Sequence, residues 1–575
     1  MLERALAWIT LERLAYAAIA ALALIVRLAS LHAAPMSPTE AVQAMAALDL
    51  VAGRGALPAA GASPLLLNLH WLIFLLGQAG ESGARLAPAL AGTLTVLLAY
   101  GLRAELGRLG SLVAALLLAI SSTLVFWSRS ATGESLALLA GMALIVGLAG
   151  WRRTGGRGWL VWLAAALAGL LLAAPISYSI LLAAAPLAAM ALLPAGDRRH
   201  AAAGLGTAGL VFVLVLLLGA TGFFFLPGGL AAAAELPAAW LAGFSGDGDS
   251  IWGLALNSLW LEPLVLMTGL AGLVVGLRRR DWMAQGLGLW LAVGLLLLVL
   301  RAGRSPADLA VLALPLALLG GLALAAFAEH FDLGEQRLEG IVLLIAGLAL
   351  VLSTAVWLAQ YTESWKAQPQ MAFLVSAGAT ALVLIVLLAA YVVIFSSRLA
   401  LQVLLALAVA MLLLLGLRGM LLTSHNRDGL RWGSLANVAG ASGGPELRLA
   451  LERLAMQRGT DLRDLPVAFL TAPGNETPAL LRWYARGAVL QSPALGDPGL
   501  VWLGMDGDAA PSDFPSPQLS PVGRGGAYSG QSFRVAQSWS PAGLSGRALW
   551  RWLLFGQFDA LQGQQRAVLW VQAEQ

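Results

Sequence analysis

The chain contains no cysteine and a single lysine, Lys366, among 575 residues. Without thiols there can be no disulfide, no thiolate nucleophile and no cysteine-ligated zinc or iron–sulfur centre. Charge is scarce as well: Asp, Glu, Lys and Arg make up 11% of the chain, against roughly 25% in an ordinary soluble domain. The five histidines, His32, His70, His200, His330 and His425, are scattered and form no cluster. The net charge of +4 is spread over short loops, so no basic patch marks nucleic acid as a partner.

What fills the chain is apolar: 59% of its residues are hydrophobic. Apolar runs lie near 14–31, 64–80, 84–102, 109–127, 134–150, 159–174, 176–193, 203–226, 252–277, 284–300, 306–327, 339–358, 371–395 and 399–417. Most reach the length that crosses a bilayer. The first is long enough to remain as an anchor, so no cleaved leader is expected. The 64–80 run is short and carries Asn68 and His70. If it lies along the outer surface and the N-terminus is inside, the inner loops hold fourteen arginines, including Arg152, Arg153 and Arg157 and the Arg278–Arg280 triplet. The outer loops before the tail then hold six basic residues. Basic residues collect on the cytoplasmic side. The expected architecture is therefore an α-helical polytopic membrane protein of about thirteen transmembrane helices. Two outer segments, 32–83 and the arginine-free 227–251, are long enough to build a site.

Composition shifts near 420, dividing a membrane domain, 1–419, from a tail, 420–575, with thirteen arginines and twelve acids. In the tail, helix-like stretches at 445–458, 477–486 and 541–555 alternate with strand-like runs at 466–471, 500–505, 532–539 and 566–572. That alternation predicts a small extracytoplasmic α/β domain, and the Gly/Pro-rich 507–531 reads as a long loop. Trp483, Trp539, Trp550 and Trp552 read as core or interface residues before they read as sugar-stacking platforms.

Several segments of the first 145 residues carry a resemblance. Arg27 stands near the end of the first span, and Ser37-Pro38-Thr39-Glu40 opens an outer helix. Ser63-Pro64-Leu65 follows, then Arg85-Leu86-Ala87-Pro88-Ala89-Leu90, then Ser128-Arg129-Ser130-Ala131-Thr132-Gly133-Glu134. In order and spacing this region resembles the GT-C superfamily of membrane glycosyltransferases, in the branch related to protein O-mannosyltransferases and the aminoarabinose transferase. The tail, through Leu481-Arg482-Trp483-Tyr484 and Gly530-Gln531-Ser532-Phe533, is similar to a subgroup associated with archaeal-type glycosylation. Two positions depart from the pattern: Thr39 stands where the family has its leading aspartate, and Ala62 where it has histidine.

The resemblance implies transfer of a sugar from a polyprenyl-phosphate-linked donor at the outer membrane face. A carboxylate must take the acceptor's proton and cations must meet the departing phosphate. Glu40 is the expected base, although Ser37-Pro38-Thr39-Glu40 also reads as a capping box. Arg85, Arg129 and Arg27 are expected at the lipid phosphate; snorkelling to headgroups is the alternative for the first two. Glu134 reads as an ion-pair partner for Arg27 or Arg129. Asp49, about 180° around a helix from Glu40, reads as part of a solvated face, and His70 as a polar-face residue of the surface helix. Asp247 and Asp249 offer a carboxylate pair for a divalent cation, or simply form a turn. A non-catalytic lipid-binding scaffold or complex subunit, with protein partners, is the alternative function.

Overall fold

A computed structural model describes residues 10–53, 61–192, 198–226, 228–331, 337–364, 370–394, 397–425, 434–441, 443–469, 477–485, 489–490, 501–505, 522–525, 528–541, 552 and 564–572. Trp550 and nearly all of the 541–555 stretch lie outside these residues.

Helices run from end to end of the membrane part. They are α1 (Leu11–Leu28), α2 (Pro38–Val51), α3 (Pro64–Leu75), α4 (Glu81–Leu98), α5 (Arg103–Ile120), α6 (Ser122–Ser128), α7 (Glu134–Thr154), α8 (Arg157–Ala173) and α9 (Ile176–Leu192). Then follow α10 (Arg198–Thr221), α11 (Gly229–Ala242), α12 (Ile251–Leu261), α13 (Pro263–Arg278), α14 (Trp282–Leu300), α15 (Ala307–His330), α16 (Arg337–Ser364), α17 (Met371–Ile394) and α18 (Ser397–Ser424). The chain is a multi-pass membrane protein. Every apolar run of the sequence carries helix, but the thirteen expected spans are not all equal. Among the described residues, eight segments are long and apolar enough to cross a bilayer, and nine with one bent pair. One of the eight, Glu81–Ile120, covers two of the runs. Helices α8 and α9 have 17 residues each, and α1 carries Glu12, Arg13 and Arg27. At 12 residues α3 is about 18 Å long, too short to cross.

The 252–277 run is not one straight span. It breaks between α12 and α13 with a bend of 96°. Pro263 begins α13 and holds Glu262 out of the helical region. The 109–127 run breaks too, at Ser121, whose side chain caps α6. The two breaks interlock: Glu262 Oε1 accepts from Ser121 Oγ and the Thr123 amide, and Ser122 Oγ donates to the Leu261 carbonyl at 2.8 Å. Each break satisfies polar groups the other exposes, which a membrane interior demands. Helices α13 and α15 approach so closely that a Cβ at Gly272 would lie 1.8 Å from the Leu319 carbonyl oxygen. Small residues at such crossings are the usual means of membrane helix packing.

The soluble part is α/β, as its alternating pattern predicts. A six-stranded sheet runs in the order β2-β1-β3-β6-β5-β4, from β1 (Pro466–Phe469), β2 (Val489–Leu490), β3 (Val501–Met505), β4 (Val522–Gly525), β5 (Tyr528–Gln537) and β6 (Gln564–Gln572). Strand β1 is parallel to β2 and β3, and the remaining pairs are antiparallel. Strands β4 and β5 run through the end of 507–531, so that stretch is not simply a loop. Helix α19 (Gly443–Gln457) buries Leu447, Leu451 and Ala455 at four-residue intervals, and α20 (Thr477–Tyr484) supplies Trp483 and Tyr484. These residues share one core with Ala41, Ala44 and Met45 of α2 and Leu67 and Phe74 of α3. The C-terminal α/β region is therefore packed onto α2 and α3 rather than tethered beside them.

Candidate functional site

Helix α2 begins where its sequence dictates. Ser37 Oγ accepts from the Glu40 amide at 3.3 Å, and Glu40 Oε2 accepts from the Ser37 amide at 2.9 Å, with Pro38 at the first helical position. The capping box leaves Glu40 facing inward, 1% exposed. There it meets Arg85 of α4, which is fully buried. Arg85 Nε donates to Glu40 Oε1 at 2.8 Å and Nη2 to Oε2 at 3.0 Å. The rest of the guanidinium donates to the carbonyls of Leu31, Ala34 and Pro35 at 2.8, 2.7 and 3.0 Å. A guanidinium has five N–H groups, so all of Arg85's are engaged.

The third motif segment closes the same knot: the Ala131 amide donates to Glu40 Oε1 at 2.8 Å. Glu40 thus accepts four hydrogen bonds from three segments that are separate in sequence. Ser63 and Gln43 lie alongside. The Gln43 side chain donates to the Ser63 carbonyl at 2.8 Å and accepts from its amide at 3.1 Å. Ser63 caps α3 at Leu66. Gly133 fits beneath them: a Cβ there would lie 2.0 Å from the Ala173 carbonyl oxygen.

The other predicted residues are brought close but serve backbone. Arg129 Nη1 donates to the carbonyls of Val26 and Arg27 at 2.7 and 3.1 Å. Arg27 donates to those of Ala23, Ala119 and Leu118. Both side chains are 1% exposed, so neither snorkels. Among the described residues Glu134 makes no ion pair with either, and its Oε2 is buried without a partner.

His70 is not on a polar face. It is fully buried, stacked on Phe74 at 5.6 Å, with Nε2 2.6 Å from the Ala84 carbonyl oxygen. Burial pushes its pKa down to about 4, so the ring is neutral and Nε2 carries the proton. Asp49 is not on a solvated face either. It is 6% exposed and accepts from Arg482 Nη2 through both oxygens, at 2.9 and 2.8 Å. The neighbours of Arg482 make further links. Trp483 Nε1 donates to Glu81 at 3.2 Å, and the Met36 amide donates to the Tyr484 hydroxyl at 2.9 Å.

Asp249 is held by the loop between α14 and α15, and Asp247 is exposed. The Asp249 amide donates to the Arg304 carbonyl at 2.8 Å, and Arg304 Nε donates to the Asp249 carbonyl at 2.7 Å. Asp249 Oδ1 accepts from the Asn437 side chain. Burial pushes the Asp249 carboxyl up to about 6. Among the described residues no three His, Asp or Glu side chains gather where a metal ion could be held. Gln43, Glu81, Glu262 and Asn437 have no signal in the sequence, because none stands in a motif and each is defined by a distant partner; Tyr484 stands in the Leu481–Tyr484 segment, which carries a resemblance but names no partner.

No family model matches the chain, and no curated protein matches it. Solved structures do. ArnT from Cupriavidus metallidurans bound to undecaprenyl phosphate superposes with a TM-score of 0.52 at 15% identity, over 96% of this chain and 97% of that one. The fold is the GT-C fold. The apo state of the same ArnT gives 0.52 at 16% identity, over 85% and 92%. The apo Archaeoglobus fulgidus oligosaccharyltransferase gives 0.40 at 14%, over 58% and 52%. In this chain, three of the segments that carry the resemblance, those of Ser37, Arg85 and Ala131, converge on Glu40.

Proposed function

We propose that the chain is a membrane glycosyltransferase that moves a sugar from a polyprenyl-phosphate-linked donor to an acceptor at the outer face of the plasma membrane. The observation that carries this reading is the correspondence over nearly the whole chain with a GT-C protein solved with undecaprenyl phosphate bound. The excess of arginine in the loops assigned inside supports an inner N-terminus and an outer soluble domain. In the reaction the acceptor hydroxyl attacks the anomeric carbon and passes its proton to a carboxylate, while the bond to phosphate breaks and the phosphate keeps the electron pair.

Glu40 is the proposed base and Arg85 the proposed phosphate ligand. In the closed arrangement they hold each other. A guanidinium fork fits phosphate as well as carboxylate, so an arriving donor phosphate competes with Glu40 for Arg85 and frees the carboxylate. Arg129 and Arg27 line the adjacent backbone as reserve cations. The test is consumption of a labelled polyprenyl-phosphate sugar by the purified chain in lipid nanodiscs. Release of polyprenyl phosphate is expected, with a loss of about 100-fold or more in Glu40→Gln, counted per folded molecule below that variant's own unfolding midpoint. Unchanged turnover in that variant removes Glu40 as the base.

A second reading, a non-catalytic scaffold or subunit, is favoured by one specific observation. Glu40 accepts four hydrogen bonds and Arg85 has no donor left, while Thr39 and Ala62 replace the family's acid and histidine. It predicts no donor consumption and co-purification with a stoichiometric partner.

A further inference from the structure

Between Arg199 and Glu235 the chain has no Asp, Glu, Lys or Arg, and it has none between Arg54 and Glu81. The two stretches meet where α10 ends beside α3. Asn68 of α3 donates to the Gly219 and Ala220 carbonyls at 2.5 and 3.3 Å. Just beyond, a turn at 222–226 presents three consecutive aromatic rings outward: Phe223, Phe224 and Phe225 are 70, 67 and 70% exposed. Gly222, Phe223 and Phe224 take φ of 53°, 57° and 72°. Bulky L-residues seldom adopt this left-handed region, so the turn holds its rings out at a conformational cost. Water offers nothing in return, because exposed phenyl surface is unfavourable there.

The backbone of the turn is closed on itself. The Phe223 amide donates to the Leu218 carbonyl at 3.2 Å, the Phe225 amide to that of Gly222 at 3.2 Å, and the Leu226 amide to that of Thr221 at 2.8 Å. The Phe224 amide donates to Thr221 Oγ1 at 3.0 Å, and that hydroxyl donates to the Leu217 carbonyl at 2.7 Å. Every amide from Phe223 to Leu226 and every carbonyl from Leu217 to Gly222 therefore has a protein partner. A helix end in water can leave such groups to the solvent. A helix end in lipid cannot.

The neighbouring surfaces are apolar and exposed too. On α10 they are Leu205, Leu210, Val213 and Leu214, in a segment long and apolar enough to cross a bilayer. On the other side Phe225 lies 5.6 Å from Trp71, and Leu72, Leu75 and Leu76 at the end of α3 are exposed. The apolar surface of a membrane-crossing segment thus continues over the turn onto α3. Phenylalanine has no polar tip, unlike the Trp and Tyr of interfacial belts, so its ring suits hydrocarbon better than headgroups. We infer that the 222–226 turn is inserted into the lipid leaflet on the side of the C-terminal α/β region, with its three phenyl rings among the acyl chains. The inference is independent of the transferase reading.

Because the chain has no cysteine, one introduced thiol is a unique labelling site. Phe223→Cys, Phe224→Cys and Phe225→Cys are spin-labelled singly in the full chain, in phosphatidylcholine nanodiscs. Val213→Cys serves as the hydrocarbon reference and Asp247→Cys, at an exposed position, as the aqueous one. Collisions with oxygen are expected to exceed those with a water-soluble nickel chelate at all three positions, at a depth of about 5–10 Å below the phosphates. The reverse ratio, matching Asp247, overturns the inference. Poor access to both reagents overturns it as well, and identifies protein, such as a second copy of the chain, as the cover. Where a labelled variant fails to fold, the unmodified chain supplies the readout, through a phospholipid carrying a photoreactive diazirine on its acyl chain. Cross-links at 223–225 are expected; cross-links along α10 with none at the turn overturn the proposal. Neither readout involves sugar turnover, so failure of one reading leaves the other standing.

Discussion

Arg482 of the soluble domain and Asp49 of the second helix, 433 positions apart, form an ion pair in which both carboxylate oxygens accept from one guanidinium nitrogen. Asp49 is nearly buried and Arg482 a third exposed, so this pair is worth more than a surface bridge and less than a fully desolvated one. Arg482→Ala is expected to cost about 1–3 kcal/mol. It should also speed proteolysis at the junction between the soluble domain and the outer helices. A double-mutant cycle with Asp49→Ala checks the coupling; additive single effects would show that the pair does not hold the domain.

The Glu40–Arg85 pair should behave differently, because both side chains are buried. Removing one partner leaves a charge without compensation, at a cost of about 3–5 kcal/mol. Arg85→Met is therefore expected to lower the unfolding midpoint sharply. Arg85→Met combined with Glu40→Leu should recover part of the loss. Detergent-solubilised unfolding curves of the four proteins read this directly.

Gly133 offers a purely steric test. A methyl group there would press into the Ala173 carbonyl and the Ser63 side chain. Both are backbone or closely packed, so neither can give way cheaply. Gly133→Ala is expected to reduce the folded yield and to weaken the contact between α3 and α7. Gly158→Ala, where nothing lies within 4 Å, is the control and should be silent.

Buried His70 and half-buried Asp249 make stability sensitive to acid in opposite senses. His70 has its pKa pushed down to about 4, so the folded state binds fewer protons than the unfolded chain between about 4 and the usual histidine value near 6.5. Its contribution is present above that window and lost as pH falls through it. Asp249 has its carboxyl pushed up to about 6 by burial, against the partial relief given by Asn437 and Arg304, with Asp308 adding to the rise. Its folded state binds more protons, so its contribution is greatest at low pH and declines as pH rises toward 6. Unfolding midpoints from pH 4 to 7 should therefore tilt one way in His70→Asn and the other in Asp249→Asn, relative to wild type. Parallel curves would contradict both assignments.

Local rules were legible in the sequence and long-range ones were not. Ser37, Pro38 and Glu40 are a capping box by spacing alone, and the structure has it. The same spacing gives no sign that Glu40 meets Arg85, because nothing local records a contact across 45 positions. Asp49 reads as solvated for the same reason: its partner lies in the tail. The bend at Glu262 has a signal in the Glu262-Pro263 pair, but the apolar residues on both sides of it read as one run. Strand β4 lies in a glycine-rich stretch that composition alone makes a loop, and it is a strand because β5 pairs with it. Arg27 stands within an apolar run, where a charge needs a partner; the sequence offers Glu134, whereas in the structure Arg27 and Arg129 donate to carbonyl oxygens of distant helices.

Arg482, Trp483 and Tyr484 are consecutive, and they bond Asp49 of α2, Glu81 of α4 and Met36 in the loop before α2. On a helix three consecutive side chains fan out over about 200°, so the end of α20 is gripped from several directions, like a key in its ward. A turn about the axis of α20, or a slide along it, strains bonds that leave the helix in different directions. The seat of the C-terminal α/β domain is thus held along several directions at once, by bonds that reach three separate stretches of the first 81 residues.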